Sequence, residues 1–100
     1  MCANAARGEA AITVGGETLV LRPSFEALVA AEAELGSLFA LVERAAEGRL
    51  TLAETAALFY HCSGGRMPRE TVGEALVDMG FTKAAPAVRM LLGQILQGRV

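Results

Sequence analysis

His61 and Cys62 form the one adjacent pair whose side chains could act as nucleophile and base, and His61 is the only histidine. Both fall in a segment that reads as a helix, where neighbours point about 100° apart, so they cannot serve one another. Cys/His catalysis would need a distant second base, and a zinc site usually needs about four ligands at recognisable spacing. The sequence supplies neither. The carboxylates are no better placed. Glu32 and Glu34 sit two apart and do not face each other, while Glu70 and Glu74 read as a solvated face. Gly15-Gly16 and Gly64-Gly65 lack the Lys-Ser/Thr ending of a phosphate-binding loop and read as turns, the second a candidate hinge. The chain is therefore expected not to be an enzyme and to hold no metal and no cofactor.

Composition narrows the classes further. The chain has 100 residues, enough for a single domain with one modest core. Hydrophobic residues make up 53% but aromatics only 5%, so the apolar mass is mostly Ala, Leu and Val, which favours helices. A net charge of −2 with scattered bases gives no footprint for nucleic acid and disfavours an anionic membrane surface. No apolar run reaches the roughly 18 residues of a membrane helix. Met1 to Glu9 lacks the apolar core of a signal peptide, and two cysteines make no disulfide framework. A cytoplasmic setting is the expectation.

The elements that must carry these residues can be read from caps and periodicity. Residues 9–22, EAAITVGGETLVLR, read as a β-hairpin turning on Gly15-Gly16. That turn pairs Glu9 with Arg22, Ala11 with Val20 and Thr13 with Thr18 on one face. Ala10–Leu21, Ile12–Leu19 and Val14–Glu17 share the other, mostly aliphatic face, which must lie on helices. Ser24 caps a first helix with Phe25, Leu28, Ala31 and Leu35 on its core side, ended by Gly36; Ser37 caps a second, with Leu38, Leu41, Val42 and Ala45, ended by Gly48. Thr51-Leu52-Ala53-Glu54 is a capping box for a third helix, whose core face is Leu52, Thr55, Ala56 and Phe59. Pro68 suits the first turn of a fourth, striped by Val72, Ala75, Leu76 and Met79. Thr82 caps a fifth with Pro86 at its fourth position, a stripe of Val88, Leu91, Leu92, Ile95 and Leu96, and Gly98 as its stop. The expected fold is α+β, mostly α: an N-terminal hairpin packed on a bundle of about five short helices. Residues 1–8 are expected to be a disordered N-terminus and 9–100 a single domain, with 9–22 the hairpin and 24–98 helical.

Val29, Phe39, Leu58, Tyr60, Val77 and Met90 fall beside or opposite these stripes. Taken singly, such residues belong inside a multi-helix packing; taken together, they suggest an apolar patch for a partner helix or a second copy. Phe39, Leu58, Tyr60 and Met90 are the bulkiest and are the candidate partner-binding residues. The hairpin edges offer another route to a homo-oligomer.

Two stretches carry a family resemblance. They are Arg7-Gly8-Glu9 leading through the hairpin to Leu21-Arg22-Pro23-Ser24-Phe25-Glu26-Ala27-Leu28, and Glu47-Gly48-Arg49-Leu50-Thr51-Leu52-Ala53-Glu54. Over residues 7–63 the chain resembles the gene transfer agent and phage tail assembly chaperone family, also labelled a tail tube protein family. The resemblance implies a role in tail morphogenesis, with the tape measure protein or other tail proteins as partners and no catalytic residues to carry over. A tail tube subunit needs extensive β-structure to join neighbours in rings, whereas strand signals here are confined to residues 9–22. A non-enzymatic helical assembly chaperone is therefore the expected function, and a structural tail subunit (tube or connector) the alternative. Met79-Gly80-Phe81 also echoes the loop of small ubiquitin-binding helical domains, which leaves a protein-binding adaptor as a further alternative.

Overall fold

The computed structural model describes residues 9–97; the expectations for residues 1–8 and for Gly98 lie outside them. The chain begins with a hairpin of β1 (Ala10–Val14) and β2 (Glu17–Leu21), followed by α1 (Phe25–Leu35), α2 (Leu38–Ala46), α3 (Leu52–Cys62), α4 (Arg69–Met79) and α5 (Phe81–Gln97). The fold is α+β and mostly α.

The hairpin has the expected register, Ala10 with Leu21 through Val14 with Glu17. Gly15 and Gly16 both take positive φ, 57° and 84°, as a two-residue turn demands. Ala10, Ile12, Val14, Leu19 and Leu21 are buried against the helices, with β1 lying on α4 and α5. Val20, expected on the open face, is buried too. The Arg22 N–H donates to the Cys62 carbonyl at 2.8 Å, which draws the end of β2 against the end of α3. Arg22 also reaches back to Glu9 at 3.5 Å, closing the open end of the ladder as the register predicts.

Local capping sets the helix starts. Ser24 Oγ accepts from the Ala27 N–H at 3.1 Å and Ser37 Oγ from the Ala40 N–H at 3.3 Å. The capping box closes in both directions: the Glu54 N–H donates to Thr51 Oγ1 at 3.1 Å and the Thr51 N–H to Glu54 Oε1 at 2.9 Å. Glu54 also takes the Arg44 guanidinium, tying the end of α2 to the start of α3. The Thr51 N–H foremost, with Arg44 behind it, holds the Glu54 carboxyl below the usual range.

Other expectations for the helices need correction. Pro68 is the residue before α4 rather than in its first turn, its carbonyl accepting from the Val72 N–H. Thr82 caps nothing: α5 starts at Phe81, directly after Gly80, whose carbonyl accepts from the Ala84 N–H. Pro86 is then the sixth helical residue, and the Thr82 carbonyl loses its helical donor to an exposed position where water can replace it.

A further correction concerns Leu58, a candidate partner-binding residue that is wholly buried. α3 packs between α1 and α4 and buries Thr55, Ala56, Ala57, Leu58, Phe59 and Cys62, which reach almost around its circumference. A helix enclosed in this way has no single stripe, so spacing alone misplaces its second face. Leu58 belongs to the core with Phe59, Leu19, Leu21, Leu41, Leu91 and Val72.

Candidate functional site

The reactive side chains are engaged structurally. Cys62 is buried, and loss of solvation pushes its thiol up to about 12, so the thiolate needed for nucleophilic attack is suppressed. His61 Nε2 lies 2.9 Å from Glu34 Oε1; an ionised carboxylate only accepts, so Nε2 carries the proton. Arg69 grips the same carboxylate with both terminal nitrogens, one of them 2.9 Å from Oε1. Arg69 first, then His61, lowers the Glu34 carboxyl to about 2. The Arg69 guanidinium also stands 4.8 Å over the centre of the Tyr60 ring, whose edge meets His61. Four side chains from α1, α3 and α4 thus form one clamp. It spans the Gly64-Gly65 turn, itself closed by N–H donation from Gly64 to the His61 carbonyl and from Gly65 to the Tyr60 carbonyl. Among the described residues, no three His, Cys, Asp or Glu side chains gather as metal ligands.

The open features are apolar. Phe25 is 81% exposed, Phe39 64%, Leu96 63%, Val77 61% and Phe81 55%, with Val29, Leu52 and Met90 less so. A groove of about 720 Å³ runs between α2 and α5, walled by Val42, Ala45, Val88, Leu92 and Leu96, with Phe81 at one end and Arg89 along the rim. By the start of α2 a smaller cleft of about 330 Å³ lies among Phe25, Leu28, Leu38, Phe39 and Ile95. A third cleft, about 510 Å³, is of mixed character, with Arg22, Ser24, Tyr60, His61 and Arg66 in its lining beside Val20, Ala27 and Ala30. Both apolar hollows are lined by residues of α2 and α5. They can take up apolar side chains of a protein partner.

The sequence-derived candidates are scattered by this geometry. Phe39 stands exposed beside the smaller cleft and Met90 is exposed on α5. Tyr60 is half-buried in the clamp, and Leu58 is in the core. Phe25 and Leu96, assigned to core stripes on spacing, are among the most exposed apolar residues instead. Leu96 sits in the last turn of a 17-residue helix that outruns its neighbours. Phe25 opens α1 at a point where Ala27 and Leu28 already face the core. A signal for the groove was available in Gly93, a helix-interior glycine within a strongly apolar segment.

No curated protein and no solved structure compared with the chain gives a match. A family model described as phage tail tube protein, GTA-gp10, matches residues 7–98. The match takes in the hairpin and all five helices, including α4 and α5, and the chain belongs to this phage tail family.

Proposed function

We propose that this tail protein is a non-enzymatic assembly chaperone of phage-like, gene transfer agent tail morphogenesis, acting on the tape measure protein. The observation that carries the reading is the pair of open apolar hollows beside α2, rimmed by Phe25, Phe39, Phe81 and Leu96, on a domain whose described residues hold only a two-stranded sheet. A long helical polypeptide waiting to be enclosed by a tube exposes apolar faces that aggregate. A small helical domain with shallow apolar grooves can cover such faces reversibly. No helix among the described residues is long and apolar enough to cross a membrane; the cytoplasm of a cell carrying a phage-like element is the proposed compartment. Co-expression with the tape measure polypeptide tests the proposal. Co-purification and a gain in that polypeptide's solubility are expected; the absence of both refutes it.

The family description bears more directly on a second reading, a subunit that remains in the tail. Its partners would then be other tail proteins of the finished particle. Mass spectrometry of purified particles separates the two: many copies per particle support the resident subunit, near absence the chaperone.

A further inference from the structure

We propose that the α2/α5 groove takes an amphipathic helix of another protein, one that carries acidic side chains along an edge of its apolar face. The proposal deepens the chaperone reading and rests on it for the identity of that protein, the tape measure polypeptide. Shape, glycine use and charge each bear on the occupant. On α5 the groove is bounded by two rows at four-residue spacing, Phe81–Ala85–Arg89–Gly93 and Val88–Leu92–Leu96, and Val42, Ala45 and Ala46 of α2 stand in its other wall. From Phe81 to Leu96 this trough runs about 22 Å at helical rise, the length of about 15 helical residues. A crevice between two helices, walled by rows of this spacing, is where a third helix seats its own i, i+4 ridge. An extended peptide turns alternate side chains to opposite faces and matches such rows poorly.

Ala85 and Gly93 are the small members of the first row and leave hollows on either side of Arg89. Gly93 lies in the interior of α5, and a Cβ built on it would meet nothing within 4 Å. Nothing inside this fold requires glycine there, although glycine weakens a helix; its missing side chain lets a large apolar residue of the occupant reach the backbone of α5. Arg89 is the one charged residue on the groove lining, exposed and without an ion pair or hydrogen bond among the described residues. α5 also bears Lys83 and no acid. A carboxylate beside the occupant's apolar ridge meets an unpaired guanidinium between the two hollows, whereas an ammonium group there is repelled. The occupant read from these rows has large apolar residues about eight positions apart on a helix and an acid near their midpoint.

The test uses the full chain and two fluorescent helical peptides of about 15 residues that share this apolar pattern, one with Glu and one with Lys at the flanking positions. Anisotropy titrations should show the Glu peptide bound at least about tenfold more tightly than the Lys peptide. Arg89→Glu, at an exposed position, should reverse that order. Gly93→Leu should abolish binding of both peptides with the circular dichroism unchanged. Met90→Ala, on the same helix but outside the groove lining, should leave binding as it is. Equal affinity for the two peptides, an order unmoved by Arg89→Glu, or full binding by Gly93→Leu would each overturn the proposal. So would binding that falls as the chain is concentrated, which would put a second copy in the groove. Capture of the tape measure polypeptide separates the groove from the chaperone role. Equal capture by wild type and Gly93→Leu keeps the chaperone and removes its client from this groove, overturning the proposal. The stated peptide selectivity with no tape measure captured upholds the acidic-helix groove and removes the chaperone, leaving another helical tail protein as the occupant.

Discussion

The clamp on Glu34 should tune stability with pH. Its carboxylate accepts from His61 and from two nitrogens of Arg69, and its carboxyl titrates near 2 against an ordinary 4.5. Unscreened, a carboxyl held at about 2 instead of 4.5 corresponds to about 3 kcal/mol. The Glu34 side chain is 36% exposed and that of Arg69 43%, so water screens the pairing and about 1 kcal/mol is the better figure. The sign follows from which state takes up the proton first. Above about pH 4.5 both folded and unfolded carboxyls are ionised and the whole contribution is present. Between about 4.5 and 2 the unfolded chain binds the proton while the folded one resists, and the contribution drains away. Urea unfolding of the wild type and Glu34→Gln should therefore differ by about 1 kcal/mol near neutrality, with the gap closing as pH falls toward 2. A gap that stays constant across that window, or a variant as stable as the wild type at neutral pH, would show that the clamp is geometric but energetically idle.

Other substitutions separate fold from surface. Gly73→Ala and Gly93→Ala should each raise unfolding free energy by about 0.5–1 kcal/mol, because both sites are helical with open space for a Cβ; Gly80→Ala, at φ 79°, should instead lower it. Leu58→Ala should cost about 2–5 kcal/mol in chemical denaturation, whereas Phe39→Ala should stay within about 0.5 kcal/mol and weaken co-purification of tail partners if the hollows beside α2 bind them. In a Cys2→Ser background, an alkylating reagent at neutral pH should leave folded protein largely unlabelled and mark Cys62 readily in urea, since burial holds that thiol near 12; rapid labelling without denaturant would contradict its placement.

What could be read from sequence was local, and what could not was set by contacts between elements. The hairpin register followed from a two-glycine turn and the two-residue period of a strand, both complete within residues 9–22. The caps at Ser24, Ser37 and Thr51 likewise depend on groups three residues apart. Helical spacing says which residues share a side but not how many sides a helix buries. α3 shows this for Leu58, hidden because α1 and α4 enclose it. Phe25 shows the converse, left in solvent because the α1 stripe turns inward through Ala27 and Leu28. The clamp joins Glu34 to residues 27 and 35 positions away, a meeting no local pattern announces.

The same distinction governs the surface. An apolar surplus was legible as composition, but whether it became core or contact depended on how far each helix outran its neighbours. α5 is 17 residues long and α2 only nine, so α2 cannot cover the whole apolar side of α5. The groove lies along that side from Phe81 to Leu96, with Val42, Ala45 and Ala46 of α2 in its other wall. That mismatch in length is a property of the pair, and it turns a stripe that would complete a core in a longer bundle into a surface open to another chain. Phe81 and Leu96, in the first and last turns of α5, stay exposed at the two ends of that side, and a helical face supplied by another chain is what such an edge is suited to hold.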